Sequence, residues 1–214
     1  MRKTKTAVLI SGNGSNLQAL LDAAAAPDYP AEIVLVLSNK PEAYGLTRAE
    51  EVGVKTCVVD HKSFDNREKF EESLHVKLLE AGVELICLAG FMRLFTAGFV
   101  ETWRDKILNI HPSLLPSFKG LNVHQRMVDT GVKIAGCTVH VVRPEMDDGP
   151  IIGQAAVPVL SDDTADTLAA RILKAEHKLY PACLKLIASG AARIDGDRVV
   201  TPEGDAAAML VTAS

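Results

Sequence analysis

Short runs of β-branched and aliphatic residues alternate along this chain with longer segments of helical period. That alternation admits few folds, because it is the pattern of parallel βαβ units whose sheet is covered by helices on both faces. The runs predict strands over residues 6–11, 32–38, 55–59, 85–89, 107–110, 136–142 and 151–157. Helices are predicted between them, over 16–25, 43–52, 66–81, 96–103, 121–130 and 164–187. Only residues 143–150 separate the last two strands, too few for a helical crossover, so that pair should run antiparallel. The expectation is an α/β fold with a mostly parallel, mixed central sheet of about seven strands and a Rossmann-like N-terminal half.

A chain of 214 residues that is 48% hydrophobic and 23% charged closes one sizeable core and is short for two. One domain over 1–214 is expected, with a phosphate-binding half to about 105, a catalytic half over about 106–200 and a frayed tail after about 202. Arg2, Lys3 and Lys5 resemble the start of a signal peptide, but a short strand and Gly12-Asn13-Gly14 follow, with no cleavage pattern. No apolar run reaches the ~20 residues that span a bilayer, and a net charge of -4 leaves no basic surplus for nucleic acid. Cys57, Cys87, Cys137 and Cys183 are too far apart for a CxxC pair or a zinc ribbon, which suits free thiols in a reducing cytoplasm. The six histidines show neither HxH nor HxxxH spacing, so no metal is expected.

The first strand runs into Gly12-Asn13-Gly14-Ser15-Asn16 and then into the helix-forming Leu17-Gln18-Ala19-Leu20-Leu21. A strand end meeting a helix N-terminus offers free backbone N–H groups and a positive dipole end, which suits an anion. The loop can equally be a turn in which Ser15 or Asn16 caps the helix, and from these residues alone the two readings stand level. No Lys-Ser/Thr pair follows the second glycine, so this is not a nucleoside triphosphate loop. A dinucleotide fingerprint would need a third glycine, and Asn39 stands where an acidic ribose ligand would be expected. A phosphomonoester fits better.

The fifth strand ends Asn109-Ile110-His111-Pro112-Ser113, so alternation puts Asn109 and His111 on one face. Pro112 and Pro116 stiffen the loop that follows. A lone strand histidine is usually structural; its place at the edge beside an amide favours chemistry. Asp147-Asp148-Gly149-Pro150 taken alone reads as a turn. Taken together, a carboxylate that favours the protonated form of an imidazole, and an amide that can donate to an oxyanion, equip a site for acyl transfer. No Ser or Cys lies in a nucleophile elbow, so direct transfer between two bound substrates is expected.

Residues 10–17, Ile-Ser-Gly-Asn-Gly-Ser-Asn-Leu, with residues 109–116, Asn-Ile-His-Pro-Ser-Leu-Leu-Pro, make the chain similar to the phosphoribosylglycinamide formyltransferase family of folate-dependent formyl transferases. The resemblance runs to about residue 200. It implies the formyltransferase fold, 10-formyltetrahydrofolate as co-substrate, glycinamide ribonucleotide as acceptor, and a cytoplasmic monomer or homodimer. It further implies Asn109, His111 and Asp147 as the catalytic trio, Gly14, Ser15 and Asn16 as phosphate ligands, and Glu176 as a ribose ligand. Arg67, Met92, Arg93, Leu94, Phe95 and Asn109 become folate contacts by the same likeness. Without it, Arg67 is an exposed helix cation and 92–95 an apolar corner.

Glu176 has support of its own, because Ile172, Leu179 and Cys183 place it on the apolar stripe of its helix. Pro181 should kink or interrupt that helix. Two positions depart from the family pattern: Asp148 replaces a frequent glycine, adding charge beside Asp147, and Gly153 replaces a larger apolar residue, which could loosen the folate side. The alternatives are a formyltetrahydrofolate hydrolase, which would not need the phosphate loop, and a phosphosugar- or folate-binding module without turnover. A transfer-RNA formyltransferase is weaker for want of a second domain and of basic charge.

Overall fold

The structure is a computed structural model that describes residues 2–201 and 210–212. Its internal contacts cluster into two units, 1–108 and 109–214.

In the first unit, β1 (Thr4–Ile10) pairs in parallel with β2 (Ala31–Ser38) and β4 (Leu85–Leu88), and β2 pairs in parallel with β3 (Thr56–Val58). Helices α1 (Ser15–Ala24), α2 (Tyr44–Glu51), α3 (Arg67–Glu80) and α4 (Ala97–Thr102) fill the intervals. β1 reads Ala7-Val8-Leu9-Ile10, all fully buried, as a strand covered on both faces must be. Because all these strands point the same way, the residues that leave β1, β2 and β4 gather at one edge of the sheet.

Strand β5 (Ile107–His111) crosses the division between the units. In the second unit α5 (Val123–Thr130) precedes β6 (Ile134–Val141) and β7 (Ile151–Pro158), which pair antiparallel as the short connection requires. The expected α/β class with a mixed, mostly parallel sheet is the one found, and all seven expected strands are present within a few residues of their predicted ends.

Helix α6 (Ala165–Ala188) continues through Pro181, contrary to the expected interruption. Leu179, Tyr180, Cys183 and Leu184 around the proline are all fully buried. Their burial at roughly 1.5–3 kcal/mol each outweighs the ~3 kcal/mol a mid-helix proline costs. Thr164 opens the helix with a capping box to Thr167.

Two features were absent from the prediction. A short hairpin, β8 (Arg193–Asp195) with β9 (Arg198–Val200), turns at Gly196, whose φ is 61°. Strand β10 (Leu210–Thr212) pairs in parallel with Gln154–Ala156 of β7, and the rest of the tail expected to fray after about 202 falls outside the described residues. An unpaired strand edge is a ready template for such an addition. Residues 202–209 and 213–214 lie outside the described residues.

Candidate active site

The glycine-rich loop leaves β1 at Ser11 and enters α1 at Ser15. Gly14 is the N-cap, in the left-handed region at φ 74°, and no side chain caps the helix. Gly14, and not Ser15 or Asn16, therefore holds the cap position of a helix N-terminus, the kind of end that suits an anion. A Cβ on Gly14 would lie 2.8 Å from Gly45 Cα, so the loop rests directly on the backbone of α2. Gly45 N donates to Gly12 O (3.1 Å), and Arg48 Nε donates to Asn13 O (2.9 Å). Residues 11–16 line a cavity of about 260 Å3 together with Ala89, Gly90 and Met92.

Also in the first unit, Arg67 is the first residue of α3 and is exposed. Met92 and Leu94 are 69% and 59% exposed, which is unusual for large apolar side chains. Arg93 is half-buried, and Phe95 stacks between Phe91 and Phe99 at centroid separations of 5.5 and 4.4 Å. The segment is anchored by the buried Glu71, whose carboxylate accepts from the backbone N–H and the hydroxyl of Thr96. Neither Glu71 nor the stack was legible beforehand, since both are contacts between elements far apart in the chain.

The second unit assembles Asn109, His111 and Asp147. His111 is 6% exposed; its Nδ1 lies 3.4 Å from Asp147 Oδ1 and its Nε2 3.0 Å from Phe118 O. Asp147 Oδ2 accepts from Gly120 N at 2.7 Å, so this one carboxylate ties the His111 ring to the 112–122 loop. Ser113 Oγ donates to Ser117 O (2.7 Å), and Thr138 Oγ1 donates to Ser113 O (2.7 Å). Asp147, Phe118 and Asn122 all have positive φ, at 49°, 54° and 55°. Such backbone costs about 1–2 kcal/mol per non-glycine residue, and it gathers here around one histidine.

Asn109 Nδ2 lies 3.2 Å from His140 Nε2, and His140 Nδ1 lies 3.1 Å from Val141 O. Burial pushes the His140 imidazole below its usual range, so the ring is neutral, with Nδ1–H donating to the carbonyl and Nε2 accepting from Asn109. That contact fixes which way the Asn109 amide points. Sequence reasoning missed His140, although strand alternation with Thr138 was available as a signal.

Asp148 forms an ion pair with Lys119 (3.2 Å), which holds its carboxyl below the usual range, so the added charge beside Asp147 is neutralised. Gly153 does not loosen a pocket: a Cβ there would lie 2.8 Å from Cys183 Sγ and 3.2 Å from Leu179 Cδ1, so α6 already fills the space. Glu176 is buried on α6 at 6% exposure, and its charge adds to the burial that pushes the Cys137 thiol up. Among the described residues no group of His, Cys, Asp and Glu could hold a metal ion, and no helix is long and apolar enough to cross a membrane.

Comparison with known proteins decides the family. The formyl transferase model matches residues 4–184. The chain belongs to the formyl transferase family. This formyl transferase is 41% identical to the phosphoribosylglycinamide formyltransferase of Escherichia coli K12, over 94% of this chain and 97% of the relative. It is 53% identical to the trifunctional purine biosynthetic protein adenosine-3 of Gallus gallus over 90% of its own residues, and spans only 19% of that protein's length. A crystal structure of the phosphoribosylglycinamide formyltransferase of Anaplasma phagocytophilum is similar at a TM-score of 0.90 and 47% identity, with 100% of both chains covered.

His124 and His177 share the depressed state of His140, each through burial. For a histidine whose folded pKa lies below its unfolded value, the unfolded chain binds more protons at acid pH. Stability is therefore complete above the unfolded value of about 6.5 and falls as pH drops below it. The urea midpoint of this formyl transferase should be lower at pH 5.5 than at pH 7.5, and equal midpoints would contradict the neutral state of these rings.

Proposed function

We propose that this formyl transferase moves the formyl group of 10-formyltetrahydrofolate to the amine of glycinamide ribonucleotide, a step of purine biosynthesis. The observation that carries the reading is the buried His111 ring, with a carboxylate at one nitrogen and a carbonyl at the other, supported by the Asn109 amide on the same strand. Nε2, 3.0 Å from Phe118 O, is the ring position from which an N–H can donate to an oxyanion.

In this mechanism the neutral amine attacks the formyl carbon directly. The oxyanion takes the Nε2 hydrogen that Phe118 O otherwise accepts, and the second amide hydrogen of Asn109, the first being held by His140. Asp147 orients the imidazole, and as the bond from the formyl carbon to the folate nitrogen breaks, the proton lost by the attacking amine balances the one taken up by the departing nitrogen. Holding both substrates in place supplies much of the rate.

Gly14, Ser15 and Asn16 bind the substrate phosphate at the α1 N-terminus, and Glu176 holds the ribose. Arg67, Met92, Arg93, Leu94, Phe95 and Asn109 contact the folate. Two observations support the folate side. A cation on the first turn of a helix opposes the dipole by about 0.3–1 kcal/mol, so Arg67 does not stand there for stability. Exposed Met92 and Leu94 offer apolar surface to a flat ring. The chain works as one formyltransferase domain with its two halves at about 1–105 and 106–200.

The test is to mix the purified protein with 10-formyltetrahydrofolate and follow the folate product's absorbance, with and without glycinamide ribonucleotide. Turnover should require the ribonucleotide. Folate cleavage without it would make the protein a hydrolase, and no reaction in either case would make it a binding module.

A further inference from the structure

Ser11 directly follows β1, an inner strand of the first unit, and two neighbouring strands end beside it. The register pairs Ile10 with Ser38, so the next residues, Ser11 and Asn39, stand side by side; on the other flank Leu9 pairs with Leu88, a few residues before Met92. Ser11 Oγ donates to Asn39 Oδ1 (2.5 Å) and accepts from Met92 N (2.8 Å). His61 Nδ1 lies 3.2 Å from Asn39 Nδ2 and 3.1 Å from Asn39 O, and the amide oxygen of Asn39 is the atom that faces Ser11. Ser11 and Asn39 are 6% and 1% exposed.

A buried hydroxyl with both its donor and one acceptor site engaged has a single orientation, and the part-buried Met92 N–H loses this partner without it. Met92 begins the segment whose apolar side chains are exposed and whose far end is held at Thr96 by Glu71. Ser11 is thus the near anchor of a segment clamped at both ends.

We propose that Ser11, oriented by Asn39, is a positioning residue for the formyl-donor side of the site, fixing the Met92 backbone and through it the Met92–Phe95 contact surface. This rests on the reading of that segment as a donor contact. Ser11 touches no substrate; it acts through Met92.

The experiment is steady-state kinetics with both substrates varied, on Ser11→Ala, Ser11→Thr, Asn39→Ala and Leu94→Ala. Ser11→Ala should raise the KM for 10-formyltetrahydrofolate about tenfold, the scale of one lost buried hydrogen bond, and leave kcat and the ribonucleotide KM within about threefold. Ser11→Thr, which keeps the hydroxyl, should restore the donor KM. Should Ser11→Ala not fold, Asn39→Ala decides by the same split, with a donor KM raised about threefold. A rise confined to the donor KM supports the proposal. An unchanged donor KM in Ser11→Ala, with Leu94→Ala raising it, overturns the positioning role and keeps the segment as a donor contact. An unchanged donor KM in Leu94→Ala removes the segment's assignment and the proposal with it. An equal rise in both KM values makes Ser11 a general prop and overturns the proposal.

Discussion

Replacing His111 by alanine should lower turnover about 100- to 1,000-fold, the usual loss when an oxyanion donor is removed. The fold should survive, because the groups around the ring have other partners. Asp147 Oδ2 keeps Gly120 N, and Phe118 O keeps Ser113 Oγ at 3.3 Å. The vacated volume costs stability by roughly 1–3 kcal/mol, as a buried truncation does. Single-turnover rates with both substrates saturating, beside a circular dichroism spectrum, separate the two effects. A folded variant that keeps most of its rate would remove His111 from the chemistry and return it to a structural role.

The second large effect belongs to Gly14. Alanine there has to adopt φ near 74° and bring its Cβ within 2.8 Å of Gly45 Cα, a backbone atom that cannot rotate away. The left-handed conformation costs about 1–2 kcal/mol and the overpacking about 1–3 kcal/mol, or roughly 2–5 kcal/mol together. Gly45 offers no relief, since its own Cβ position meets the Ile10 side chain. The loop must therefore shift, and a displacement near 1 Å of a positioning group can cost about 100-fold. Gly14→Ala should raise the ribonucleotide KM on that scale and lower the urea midpoint. A variant with unchanged ribonucleotide KM would show that the phosphate is held elsewhere.

What could be foreseen, and what could not, divides along physical lines. The strands were legible because Ala7-Val8-Leu9-Ile10 and its counterparts are buried on both faces and so must be continuously apolar. The antiparallel β6–β7 pair followed from a connection too short to cross over. Asn109, His111 and Asp147 were nominated by position and residue type, but their joint geometry was not, since the partners include the main-chain atoms Phe118 O and Gly120 N, which carry no sequence signal. Pro181 does not interrupt α6, because a local rule about helix interiors is overridden by the fully buried neighbours on that helix. Arg67 and the 92–95 segment remain assigned by likeness and by their exposure.

The close approach of β7 to α6 at Gly153 reaches beyond this one molecule. With Cys183 Sγ 2.8 Å from where a Cβ would stand, strand and helix divide a fixed volume between two positions. A relative bearing a bulkier aliphatic residue at the position of Gly153 keeps the same helix placement most easily if its counterpart of Cys183 is smaller, because the Cys183 Sγ otherwise has to turn aside. The two sites should therefore vary in opposite directions along the family tree, and a chimera that imports one without the other should express poorly even though neither touches a substrate.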